Sequence, residues 1–258
     1  MMALRRVVTI AANTVREAIR SKVLYTLVFF AILLIGTGML LATLSYVEQE
    51  SILQDVGFAA IRLFGVAIAI FVGIGLIHKE VDRRTIYTIL SKPISRTEFL
   101  LGKYFGLVAT LWLQLVIMGA AFAGTQLLAG APLHAAHAMA LGLVAVELAV
   151  IVAIATLFSS FTTPMLASLF TIGLWVVGHL SRDLRELGQQ SGVGAVKTVT
   201  AVLHRALPDL ESFNLTVQAV HGLPITASDV FLPLIYGAGY AALVLCAASL
   251  AFERRDFR

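Results

Sequence analysis

The sequence is poor in the residues that most often carry chemistry. It holds a single cysteine, Cys246, so no internal disulfide can form and no cysteine-based zinc site can be built. Charged residues make up 13% of the 258, against 59% hydrophobic, and the mean hydropathy is +0.91. A soluble core of this size cannot hide that much apolar surface, so lipid must be the solvent. A phosphate-binding loop of the form G-x-x-x-x-G-K-[ST] is also missing, because Gly102-Lys103 is followed by Tyr104 and lacks the upstream glycine. The chain cannot itself be an ATPase. No convergent set of nucleophile, acid and base groups stands out either, which argues against an intramembrane enzyme.

What is present is a series of long apolar runs. Roughly 20 mostly apolar residues cross the ~30 Å hydrocarbon layer, and six stretches qualify: Val23–Leu44, Phe58–Ile77, Tyr104–Ala129, Ala138–Phe158, Pro164–Leu180 and Val230–Phe252. The fold expected is all-α, a single membrane domain over residues 1–258. Basic residues outnumber acidic ones by 19 to 15, a balance that would suggest nucleic acid in a soluble protein. Here their placement matters more, and no nucleic-acid partner is expected. Arg5, Arg6, Arg16, Arg20 and Lys22 precede the first span; Lys79, Arg83, Arg84, Lys92, Arg96 and Lys103 lie between the second and third; Arg254, Arg255 and Arg258 end the chain. The opposite connections are acidic or neutral, apart from Arg62 at a span edge and four basic residues in the fifth connection. Both termini are therefore expected in the cytoplasm. The turn at Ser159–Thr163, with Thr162 or Thr163 capping a helix that starts at Pro164, has no basic anchor. A five-span or re-entrant arrangement stays open there.

Three segments outside the lipid carry pattern. Residues 1–22 hold an amphipathic helix with Val8, Ala11, Val15 and Ile19 on one face and Thr9, Asn13, Arg16, Glu17 and Arg20 on the other; it is expected to lie along the cytoplasmic surface. It serves either as a topology-fixing flank or as a contact for a partner. Residues 78–103 read as helix, elbow and helix. Pro93 stops the first helix and biases Lys92 away from helical geometry, and Ser95-Arg96-Thr97-Glu98 has capping-box spacing for the second. That shape suits a docking surface for a partner, with a topology-setting loop as the plainer reading. Residues 181–228 place Val193, Val196, Val199, Leu203 and Ala206 or Leu207 on one face, which predicts one or two short helices on the outer leaflet.

Within the spans, Glu147 is the deep carboxylate. It either faces a polar pathway or hydrogen-bonds another helix. Gln114 reads as an interhelical hydrogen-bonder and a second pathway candidate. His134 and His137, one turn apart, lack a third metal ligand. Gly102 and Gly106 form a GxxxG pair suited to close helix packing.

Several motifs together resemble the permease subunits of type-2 ABC exporters, in particular bacterial permeases similar to the one that accompanies copper-site maturation of nitrous oxide reductase. They are Thr14-Val15-Arg16-Glu17-Ala18-Ile19-Arg20-Ser21-Lys22, the run from His78 through Glu80, Arg83, Arg84, Thr85, Lys92, Pro93, Ser95 and Arg96, then Phe99-Leu100-Leu101-Gly102-Lys103. Phe158-Ser159-Ser160-Phe161 and Pro208-Asp209-Leu210-Glu211-Ser212-Phe213-Asn214 add to them. The resemblance implies a multi-pass protein of the bacterial inner membrane, paired with a second permease copy or a paralogue. Separate ABC ATPase subunits would bind ATP and Mg, with no cofactor on this chain. It further implies coupling to the ATPase through Arg16, Glu17, Arg20, Lys79, Glu80, Arg83, Arg84, Thr85, Lys92, Pro93, Ser95, Arg96 and Glu98. The competing function is an ion-coupled transporter or channel that uses Glu147.

Overall fold

The computed structural model describes residues 2–44, 48–82, 95–191 and 193–253, and every regular element among them is a helix. In chain order these are α1 (Met2–Ile19), α2 (Lys22–Ala42), α3 (Gln49–Asp82), α4 (Arg96–Leu128), α5 (Ala135–Phe161), α6 (Pro164–His179), α7 (Ser181–Gln190) and α8 (Gly194–Ala206). A 3-10 turn (Glu211–Phe213), α9 (Thr216–Val220) and α10 (Ala227–Glu253) follow. The chain is thus an all-α polytopic membrane protein.

Local chemistry sets the element ends. Ser95 accepts the Glu98 backbone N–H at 3.1 Å while the Glu98 carboxylate accepts the Ser95 N–H at 3.0 Å, which is the expected capping box at the start of α4. At the other end Gly130 takes the left-handed conformation (φ 72°), and the Ala131 N–H returns to the Gln126 carbonyl at 2.9 Å. Pro164 occupies the first turn of α6, as its fixed φ and missing N–H favour. Thr163 holds the N-cap position without a side-chain cap bond. Thr162 turns back instead to the Phe158 carbonyl at 2.8 Å and closes α5.

Helix α5 is the axis of the bundle. Val150 through Ala155 are all buried, which requires neighbours on every side. Helix α10 packs along α5, α3 along α5, α2 along α3 and α1 along α4, while α7 packs chiefly on α8.

The number of crossings follows from where the ends meet. Arg96 at the start of α4 reaches the end of α10, and Arg6 of α1 pairs with Glu98 at 3.6 Å. The described parts of both termini therefore sit at one end of the bundle, together with the chain ends that flank residues 83–94. Such a closed circuit needs an even number of crossings. Five helices are long and apolar enough to cross alone; α6 becomes a sixth crossing when taken with α7, across a bend of 51°. At about 1.5 Å per residue α6 covers only about 24 Å.

Span boundaries shift outward from those expected. Helix α3 begins nine residues before Phe58, so Arg62 is not at a span edge but about 20 Å inside the helix. The segment 181–228 also differs from expectation. Val196 and Val199 are exposed on α8, as an interfacial helix requires, but Leu210, Phe213, Leu215 and Ala219 are buried in the core. The reason is steric. Gly178 offers no side chain, so Leu210 and the Pro208 carbonyl close onto α6, and Gly237 makes room for Phe213 against α10.

Candidate functional site

Two groups of polar residues stand out, one at the end of the bundle shared by the termini and one buried within it.

At the shared end the first two turns of α4 gather three helices. One terminal nitrogen of Arg96, Nη1, donates to the carbonyls of Phe252 (3.1 Å) and Glu253 (3.2 Å), the unsatisfied acceptors at the end of α10. Thr97 lies within hydrogen-bond distance of Ser249 (3.1 Å) and donates to Glu253 (3.3 Å), and the Phe99 and Phe252 rings stack at 6.2 Å. On the other side Glu98 pairs with Arg6, and Lys103, only 2% exposed, reaches Glu17 at 3.5 Å.

The same stretch seats α1. A side-chain carbon at Gly102 would come within 2.6 Å of Ile10 Cβ, and one at Gly106 within 2.6 Å of Thr14 Cβ and 2.7 Å of the Ala11 carbonyl oxygen. The GxxxG pair is therefore a groove for the N-terminal helix. Its buried residues, Thr14 and Ala18, fall beside rather than on the expected face; Val8 points outward, 58% exposed. Helix α1 has three sectors: one on α4, one apolar and outward, and one polar that carries Arg16, with Arg20 just past its end.

Of the residues expected to couple to a partner, Ser95 and Glu98 serve the helix start, Arg96 clamps α10 and Glu17 holds Lys103, while Arg16 and Arg20 are exposed. Lys79 and Glu80 lie on the helical backbone of α3, and their side chains are outside the described residues. So are Arg83, Arg84, Thr85, Lys92 and Pro93.

The second group centres on Glu147, fully buried at 0% exposure and about 18 Å along α5. Arg62 lies at matching depth on α3, with its Nε 3.1 Å from Glu147 Oε2, a charge contact whose N–H is not aimed along the line. Trp175 Nε1 donates to Glu147 Oε1 at 3.2 Å, and His179 Nε2 stands 3.4 Å from the same oxygen. Trp175 and His179 share one face of α6 at i, i+4 spacing, with rings 5.4 Å apart. Three helices thus meet on one carboxylate. Isolated charges at this depth are costly, and mutual pairing is what makes them tolerable.

Gln114 is buried on α4 but is not among the groups that touch Glu147. His137 Nδ1 accepts the His134 backbone N–H at 3.1 Å, so this pair organises the start of α5. Arg62, Trp175, His179 and Lys103 are the residues that reading the sequence missed. For Arg62 the signal existed: a span begun at Gln49 would have exposed an intramembrane arginine in need of an acid.

None of the curated proteins matches the chain. The family described as ABC-2 family transporter protein matches residues 8–257, a span that takes in both the α4 hub and the Glu147 cluster. With nearly its whole length covered, the chain belongs to the ABC-2 family of transporter proteins.

Proposed function

We propose that the chain is the membrane subunit of an ATP-driven exporter, working beside a second permease copy or paralogue and driven by separate ABC ATPase subunits. In this reading it lies in the bacterial inner membrane with both termini cytoplasmic, and it belongs beside the permeases of nitrous oxide reductase maturation. The observation that carries the proposal is the hub at Ser95–Lys103. A push delivered on the basic segment 83–94 enters the bundle at α4, and there Arg96, Glu98 and Lys103 hand it to α10 and α1. Coupling by contact needs such a rigid junction, because a motor can shift an equilibrium only through contacts that differ between two states. The ion-coupled alternative loses support: Glu147 accepts from Trp175 and stands within 3.4 Å of Arg62 and His179 from two other helices, so it is not a lone carboxylate waiting for an ion.

The experiment is reconstitution of the chain with its ATPase and comparison with the triple variant Glu80→Ala, Arg83→Ala, Arg84→Ala. The variant is expected to insert and assemble yet to separate ATP hydrolysis from transport. Unchanged cargo-stimulated hydrolysis and transport would remove the elbow from the mechanism. Orientation has its own check: a cysteine introduced at Ser91 in a Cys246→Ala background should react with an impermeant maleimide only after the cells are permeabilised. Labelling of intact cells would put the elbow on the outer face and end the motor reading.

A further inference from the structure

The Glu147 cluster has more donors than it has acceptors. The carboxylate offers two oxygens, and these already face Arg62 Nε, Trp175 Nε1 and His179 Nε2. The guanidinium carries five N–H groups in a planar fork. Among the described residues no acceptor reaches its two terminal nitrogens, and Nη2 is buried. His179 Nδ1 lies 3.3 Å from the Trp175 carbonyl. Glu211, on the 3-10 turn, accepts through Oε1 from Asn214 at 2.7 Å and makes no ion pair with Arg62. Glu147 is sealed at 0%, while the Arg62 and His179 side chains keep 15% and 20%. Arg62 Nε and Nη2 and His179 Nε2 are themselves buried, which leaves Nη1 as the guanidinium nitrogen toward the opening.

We infer that Arg62 is a receptor for an oxyanion, a phosphate or carboxylate group, which enters at Nη1 and completes the buried, unpartnered Nη2. Planar, two-point recognition of such groups is what a guanidinium does best. That the bound molecule is cargo rests on the permease reading; that the site takes an oxyanion does not. The group belongs either to a lipid headgroup or to a small soluble anion.

The test is native mass spectrometry of the detergent-solubilised full chain, which needs no ATPase and so stands or falls apart from the permease reading. The probes are phosphatidylglycerol, diacylglycerol with the same acyl chains, and inorganic phosphate. The comparison is the double variant Arg62→Gln, Glu147→Gln, which removes both charges together and so leaves neither stranded in the core. The wild-type chain should retain phosphatidylglycerol in preference to diacylglycerol, with half-saturation at roughly tenfold lower concentration than in the double variant, as losing a charge-assisted hydrogen bond predicts. Displacement of that lipid by inorganic phosphate identifies a soluble oxyanion as an occupant of the same site; lack of displacement assigns the site to a headgroup. Equal retention of both lipids by the wild type, or equal retention of phosphatidylglycerol by wild type and double variant, overturns the inference.

Discussion

Replacing Glu147 by leucine while Arg62 remains should destabilise the bundle by about 3–5 kcal/mol, because it leaves a guanidinium unpaired in a low-dielectric interior. The location makes the effect large. Glu147 sits on α5, the helix with neighbours on every side, and its carboxylate joins α3 to α6. Removing both charges, as Arg62→Leu with Glu147→Leu, should recover most of the loss, since a buried ion pair exchanged for apolar residues of similar volume is often neutral or stabilising. Thermal unfolding of the single and double variants in detergent gives the cycle directly. Additive losses, with no recovery in the double variant, would show that the two residues act independently and that the 3.1 Å contact contributes nothing to stability.

The two polar groups differ in what they ask of the bundle. At the hub, Arg96, Glu98 and Lys103 fasten helix ends, where carbonyls and N–H groups are unsatisfied by construction and a charged side chain is the natural partner. The Glu147 cluster fastens helix middles, where the backbone is already satisfied and only side chains can interact. A rigid hub and a cluster with spare donors are therefore suited to different tasks: in the proposed reading the first transmits displacement and the second recognises.

Much of the architecture was legible because its signals are local. Apolar length marked the crossings, Ser95 and Glu98 declared the start of α4 three residues apart, and Pro164 marked the start of α6. What stayed hidden depends on partners distant in the chain. Arg62 and Glu147 lie far apart in sequence and meet only because α3 starts at Gln49, upstream of the most apolar run. The burial of Leu210 and Phe213 depends on Gly178 and Gly237, whose missing side chains open space on neighbours that no periodicity in 208–220 could reveal. The packing face of α1 stayed hidden for a related reason: its amphipathic pattern marks the apolar arc through Val8, which points outward, and not the Thr14 and Ala18 side that meets α4.

The seat of α1 gives the second large effect. Gly106→Leu should lift α1 from α4, because the new Cβ would fall 2.7 Å from the Ala11 carbonyl oxygen, and a backbone atom cannot rotate aside as a side chain can. Overpacking of this kind costs about 1–3 kcal/mol, and more where backbone is struck. The consequence reaches beyond the clash. Once α1 shifts, Glu17 no longer reaches Lys103, and a lysine only 2% exposed loses a carboxylate that helps hold its charge in the core. Limited trypsin digestion should cut at Arg16 or Arg20 well before the rest of the chain in the Gly106→Leu protein, and only slowly in the wild type. Gly73→Leu is the control, since a carbon added there meets nothing closer than Leu107 at 3.7 Å. Equal cleavage rates in all three proteins would mean that α1 is not held by the Gly102 and Gly106 groove, and the hub would then tie α4 to α10 without α1.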